Sequence, residues 1–141
     1  MNPYAGLVTR TIAFSIDAAV VNLTGVAVGV VVGLALSVLD IPEEVDKVLL
    51  AAGAVIFALW TVAYFVGFWS TTGETPGNRV MRIRVQCGDG GTLRRRTALL
   101  RLAALAVAAI PFLAGFLPIL FDRRRRAFQD FVARSVVVRA P

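Results

Sequence analysis

The stretch 48–69 carries no charged residue at all, and few soluble structures have a place for such a run. As a helix rising about 1.5 Å per residue it matches the roughly 30 Å hydrocarbon core of a bilayer. Trp60, Tyr64 and Trp69 lie toward its far end, where aromatic rings serve as interfacial anchors. A second apolar run, 11–39, is interrupted only by Asp17, Asn22 and a few hydroxyls. It exceeds the bilayer core and is expected to span it tilted or protruding. A cleaved signal peptide is the competing reading, but the run is too long, contains an acid and lacks a small-residue cleavage site. With 57% hydrophobic residues and a mean hydropathy of +0.75, the chain is more apolar than a soluble domain of its size. The expectation is one all-α membrane domain over 1–141 with two transmembrane helices, a further helical segment and a small pair of β-strands.

Charge sets the orientation. Fifteen basic residues stand against nine acidic ones, a net +6, and they are clustered between the apolar runs. Residues 40–47 hold four acids and one lysine, whereas 70–101 hold seven arginines and two acids. The positive-inside rule therefore puts the N-terminus and the second connection in the cytoplasm and the acidic connection outside. Such clustering suits anionic lipid headgroups better than nucleic acid. Cys87 is the only cysteine and histidine is absent, which excludes an internal disulfide, a Cys/His zinc site and a histidine base. No enzymatic activity, metal or cofactor is expected.

The third apolar run, 102–121, is long enough to span if straight, but that would carry Arg123, Arg124, Arg125 and Arg126 outside. Pro111, Gly115 and Pro118 allow two short helices instead, 99–110 and 112–121, in a re-entrant hairpin. The hairpin is favoured, with the straight span as the alternative. In the basic tail, 122–141, Asp122 and Asp130 flank the four arginines, and Phe128 and Phe131 are interleaved. This reads as a segment lying on the membrane, arginines on lipid phosphates and phenylalanines inserted. Met81, Ile83 and Val85 alternate with Arg82, Arg84 and Gln86, the period of a strand, and 87–91 reads as a turn. Residues 135–138 are a second strand candidate. The two are expected to pair on the cytoplasmic side, the alternative being two isolated extended segments.

Two charges sit where lipid would penalise them. Arg10 and Asp17 share a face of the first helix, about 10 Å apart along its axis. Arg10 at the membrane edge can anchor to lipid phosphates. It has no acid within one turn, so Asp130, assigned to the same edge, is expected in its cluster. Asp17 needs a partner, protonation or water. Arg101, at the mouth of the third run, is the favoured partner, with Asn22 and Thr9 as neutral donors. A structural ion pair and a protonation or cation site are both open for it. Gly25, Gly29 and Gly33 form a small-residue ridge suited to the second span or to a homodimer.

Taken in order, these residues resemble the RDD family of small bacterial membrane proteins. Tyr4-Ala5-Gly6 leads to Arg10 and then Ile16-Asp17; Thr75-Pro76-Gly77 with Arg79 resembles its T-P-G-K-R turn opening a strand; Asp89-Gly90 resembles its D-G turn. Arg101, Asp122-Arg123-Arg124-Arg125, Asp130 and Val136-Val137-Val138 complete a likeness covering nearly the whole chain. Asn78 replaces a usual lysine, Gln129 a usual histidine and Ala127 a common glycine. The resemblance implies a multi-pass protein of the bacterial plasma (inner) membrane that transports ions or small solutes, sodium/proton exchange being attributed to some relatives. Such a protein is expected to be oligomeric. The alternative it implies is a non-catalytic accessory subunit of a larger membrane transport complex.

Overall fold

A computed structural model of the chain describes residues 3–39, 41–110 and 114–141. Two long helices dominate it, α1 (Leu7–Leu36) and α2 (Glu43–Thr71). Each begins before the apolar run that predicts it, α2 at the N-cap Pro42, and α2 also runs past its end, whereas α1 stops at Leu36, short of residue 39. Glu43, Glu44 and Asp46 occupy the first turn of α2, where negative charge suits the helix dipole. Asp40, an acid of that connection, lies outside the described residues.

Only one end of this helix pair is covered by protein. On α1 the buried residues are Arg10, Ala13, Asp17 and Val21, a single face repeating every three to four positions. On α2 they are Tyr64, Phe65 and Trp69, near its C-terminus. Between these lie bare apolar surfaces, with Leu23, Val26, Val31 and Leu34 exposed on one helix and Val48, Leu50, Ile56 and Leu59 on the other. The most apolar windows of α1 and α2 have mean hydropathies of 2.3 and 2.2 but are only 6% and 11% buried. Core helices of a soluble protein would be covered, so these two have the length, composition and exposure of membrane-crossing helices.

The rest of the chain is built from two like units. α3 (Pro76–Val80) leads into β1 (Ile83–Cys87), and α6 (Phe128–Val132) leads into β2 (Ser135–Arg139). After each short helix an arginine adopts the left-handed conformation that turns the chain into its strand, Arg82 at φ 51° and Arg134 at φ 47°. Thr75 corresponds to Ala127, Arg82 to Arg134 and Val85 to Val137. The strands pair antiparallel with Val85 opposite Val137, so each unit meets its counterpart across an approximate two-fold axis. The strand pair agrees with the alternation in the sequence, except that Met81 caps α3 and the T-P-G turn opens a helix before the strand. On the outer side, Tyr4 bridges to Val138 and Ala5 N–H donates to the Val137 carbonyl at 2.9 Å.

Each unit packs on its own helix, α3 on α1 and α6 on α4 (Arg95–Ala109). Beyond α4 the chain doubles back. The 114–116 turn packs on α4, and Gly115 lies so close that a Cβ there would overlap the Ala108 side chain. The short helix α5 (Pro118–Phe121) follows, with Pro118 in its first turn. Gly115 and Pro118 break the returning limb into a 3-10 turn and a four-residue helix, where one helix over 112–121 was expected. Pro111 and Phe112, at the expected bend, lie outside the described residues. The return brings Asp130 beside Arg101, so the third apolar run does not continue as one straight helix.

Candidate functional site

Two buried carboxylates lie where the units meet the long helices. Asp17 sits about 15 Å along α1 from its start and is 2% exposed. Its Oδ1 accepts hydrogen bonds from the Tyr64 hydroxyl at 2.9 Å and from the Gly77 N–H at 2.8 Å. Its Oδ2 accepts from the Thr75 hydroxyl at 2.5 Å. All three donors are neutral. Thr75 is the N-cap of α3 and its Oγ1 also accepts from Asn78 N–H at 3.2 Å, while Pro76 follows at the first helical position. Gly77 permits the approach, because a Cβ there would run into the Ala13 carbonyl and the Asp17 carboxyl carbon. The T-P-G turn therefore presents donors to the acid on α1.

Asp130, fully buried in the first turn of α6, has the opposite surroundings. Its two oxygens pair with the guanidiniums of Arg10 and Arg101, and Oδ2 also accepts the Ala127 N–H at 3.0 Å. Burial pushes the Asp130 carboxyl up, but Arg101 and Arg10 outweigh it and hold it below the usual carboxylate range. Arg10 further donates to the carbonyls of Ala5 at 3.2 Å and Arg125 at 2.5 Å. Arg101 donates to Ser135 Oγ at 2.6 Å, and its guanidinium lies 5.0 Å from the Trp69 ring centre.

Arg10, Arg101 and Asp130 thus form one cluster, but Arg101 is not the partner of Asp17. The return of the tail puts Asp130 within its reach, and neutral groups hold Asp17 instead. Asn22 is exposed and donates to the Ala18 carbonyl of its own helix at 2.7 Å. Thr9 is not among the donors to Asp17. Tyr64 and Trp69, expected as interfacial anchors, are buried, one bonding Asp17 and the other under Arg101; Trp60 remains exposed. Of the glycine ridge only Gly25 meets α2, against the Phe57 ring, while Gly29 and Gly33 face no part of this chain closely. Arg79 and Arg84 share Glu74 at 3.8 and 2.6 Å.

The four consecutive arginines divide. Arg126 is committed to Asp122 at 3.0 Å and to the Phe131 ring, and it holds the Asp122 carboxyl at about 2, chiefly through its side-chain hydrogen bond. Arg125 has φ 49° and its carbonyl is engaged by Arg10. Arg123 and Arg124 are exposed. The segment is a turn and not a continuous amphipathic helix.

Arg10, Asp17, Asn78, Arg101 and Gln129 all line one cavity of about 50 Å³, walled by Phe14, Phe65, Trp69, Val85 and Val137 among others. It connects the surroundings of Asp17 with those of the arginine cluster. Tyr64, Ser135 and Trp69 are the site residues that sequence reasoning missed; nothing in their local pattern separates them from anchors or strand residues.

Two long bare helices, a two-stranded sheet and a buried Arg-Asp-Arg cluster next to a second buried acid define a small helical protein with membrane-crossing character. The sequence profile of the RDD family matches residues 4–134, and the chain belongs to that family. No curated protein and no solved structure matches it significantly.

Proposed function

We propose that this RDD-family chain is a multi-pass membrane protein that exchanges ions at Asp17. In this reading α1 and α2 cross the plasma membrane of a bacterium, and the end bearing the sheet, both termini and the arginines lies in the cytoplasm. The bare apolar flanks of α1 and α2 support insertion, because water would strongly disfavour so much continuous apolar surface. The arginines at the covered end support the orientation, and in this reading the exposed Arg123 and Arg124 meet anionic headgroups.

One observation carries the exchange reading: Asp17 is a buried carboxylate held, among the described residues, by neutral donors alone, and it lines a cavity that Asn78 and Gln129 also reach. It can gain or lose a charge without stranding a counterion, which a carboxylate paired to arginine cannot do. A cavity of about 50 Å³ favours a proton or a small ion over a larger solute. Two spans and a hairpin enclose little, so assembly of several copies belongs to the proposal. The rival reading, an accessory subunit, draws on the rigidly paired Asp130, which acts as a clamp.

The test is purified protein in liposomes under an imposed pH or sodium gradient. Wild type should dissipate the gradient at least tenfold faster than empty liposomes, and Asp17→Asn should fall to the empty-liposome rate while reconstituting normally. Gradient loss that is equal in both proteins removes Asp17 from the mechanism. A wild type as slow as empty liposomes favours the accessory reading.

A further inference from the structure

The cavity between the two halves, α1 with its α3-β1 unit and α4 with its α6-β2 unit, is lined by Arg101 and Gln129, whose Nε, a donor, and Oε1, an acceptor, are buried and have no hydrogen-bond partner among the described residues. Their residues are 5% and 3% exposed. Buried polar atoms left bare are rare, because the hydration they lose is not replaced. The Nη1 of Arg101 is better served, engaged by Asp130 and Ser135.

The chemistry of this pair restricts the guest. A bare metal cation cannot accept from Nε–H and would stand among the guanidiniums of Arg10 and Arg101. A halide accepts from Nε–H but has no proton for Oε1. Ammonium donates but has no lone pair to offer. Water does both, and about 50 Å³ exceeds the roughly 10–15 Å³ that a single water needs. We infer that this cavity is a buried hydration site in which water accepts from Arg101 Nε–H, donates to Gln129 Oε1, and meets Asp17 and Asn78 from the opposite half.

The position of the water gives it a second consequence. Asp17 and Asn78 belong to the first half, Arg101 and Gln129 to the second, so the water joins the halves where no protein hydrogen bond between these four side chains does. On the ion-exchange reading, on which this step alone rests, it offers Asp17 a donor and acceptor for its proton. The species taken up there is then a proton and not a dehydrated metal ion.

The experiment uses the full chain, labelled with nitrogen-15, in detergent micelles. Cross-relaxation between water and the Arg101 Nε–H should carry the sign of a long-lived bound molecule and should vanish in Gln129→Leu. That variant should also unfold at a midpoint lower by about 3 °C or more, because the water loses its acceptor and Arg101 its bridge. Absence of the water signal in wild type overturns the inference, whether or not the variant folds. A Gln129→Leu protein more stable than wild type overturns it too, since removing a bare acceptor from a dry cavity would stabilise. A bound-water signal in a protein that dissipates no gradient upholds the hydration site and removes only the exchange reading.

Discussion

Asp17 and Asp130 are the two most deeply buried acids of the site, at 2% and 0% exposure, and each meets the N-terminal end of a short helix in one of the two units. They are held in opposite ways. Asp17 projects from the long helix α1 onto α3 and is met by a phenol, an alcohol and an amide. Asp130 belongs to the short helix α6 itself and is met by guanidiniums from α1 and α4. Among the described residues no guanidinium bonds the first carboxylate; two bond the second. The same helix-strand unit thus meets one carboxylate with neutral donors and carries the other between two arginines.

The difference can be broken most directly by neutralising each acid in turn. Asp130→Asn leaves two buried guanidiniums without a counterion and should cost about 3–5 kcal/mol of stability, read as loss of yield and a lower unfolding midpoint in detergent. Asp17→Asn keeps the shape and an acceptor oxygen and should cost about 1–3 kcal/mol. Equal losses would mean the two acids are held alike. Acid sharpens the contrast. Because the folded Asp130 carboxyl titrates below its unfolded value of about 3.9, its contribution is fully present above that value. It is lost as pH falls through the lower folded value, and Asp130→Asn should lack that acid-induced loss.

A smaller effect separates the units at a single equivalent position. Gly77 in α3 corresponds to Gln129 in α6, and only the first must be bare. Gly77→Ala should cost about 1–3 kcal/mol by forcing α3 off α1, and it should weaken the Asp17 contacts with it. Unchanged stability would show that α3 does not press on α1 as closely as the geometry requires.

The smallest expected value is a coupling. Asp17 and Arg101 share a cavity but no direct hydrogen bond, so the losses from Asp17→Asn and Arg101→Gln should couple weakly, by about 0.5–1 kcal/mol, through the water between them. A double mutant more stable than Arg101→Gln alone would restore the direct pair that the sequence favours. A charge swap of Arg10 and Asp130 should likewise fail to recover stability, because the new arginine at 130 would face Arg101.

Much of the architecture is legible without coordinates. The charge-free run 48–69 and the longer run 11–39 announce α1 and α2, since hydropathy acts over whole segments. Pro118, Gly115 and the arginines beyond them announce the return of the third segment, since a charge penalty and two helix breakers point the same way. Strand alternation announces the sheet. The holding of Asp17 was not legible for a physical reason. Charge complementarity nominates arginines as partners, while the actual donors are a hydroxyl at an N-cap, a backbone N–H beside a glycine and a phenol that resembles an interfacial ring. Neutral donors carry no charge signature, and Thr75, Gly77 and Tyr64 become neighbours only through tertiary packing. The internal two-fold was hidden as well, because Ser135-Val136-Val137 and Ile83-Arg84-Val85 share a conformation and little chemistry.

The three-way pairing at Asp130 also sets an order on biosynthesis. A ribosome makes Arg10 first and Arg101 much later, and the acid that neutralises both emerges only after 29 further residues have been added. Through all of that interval the two guanidiniums lack the carboxylate of their final arrangement, and nothing yet ties the end of α1 to α4 through it. Closure of the charged end is therefore a late event in the life of each chain. A stop, a cleavage or a tethered tag that delays arrival of the tail would leave a helix pair already formed but unlocked, a distinct species that quality-control proteases would meet.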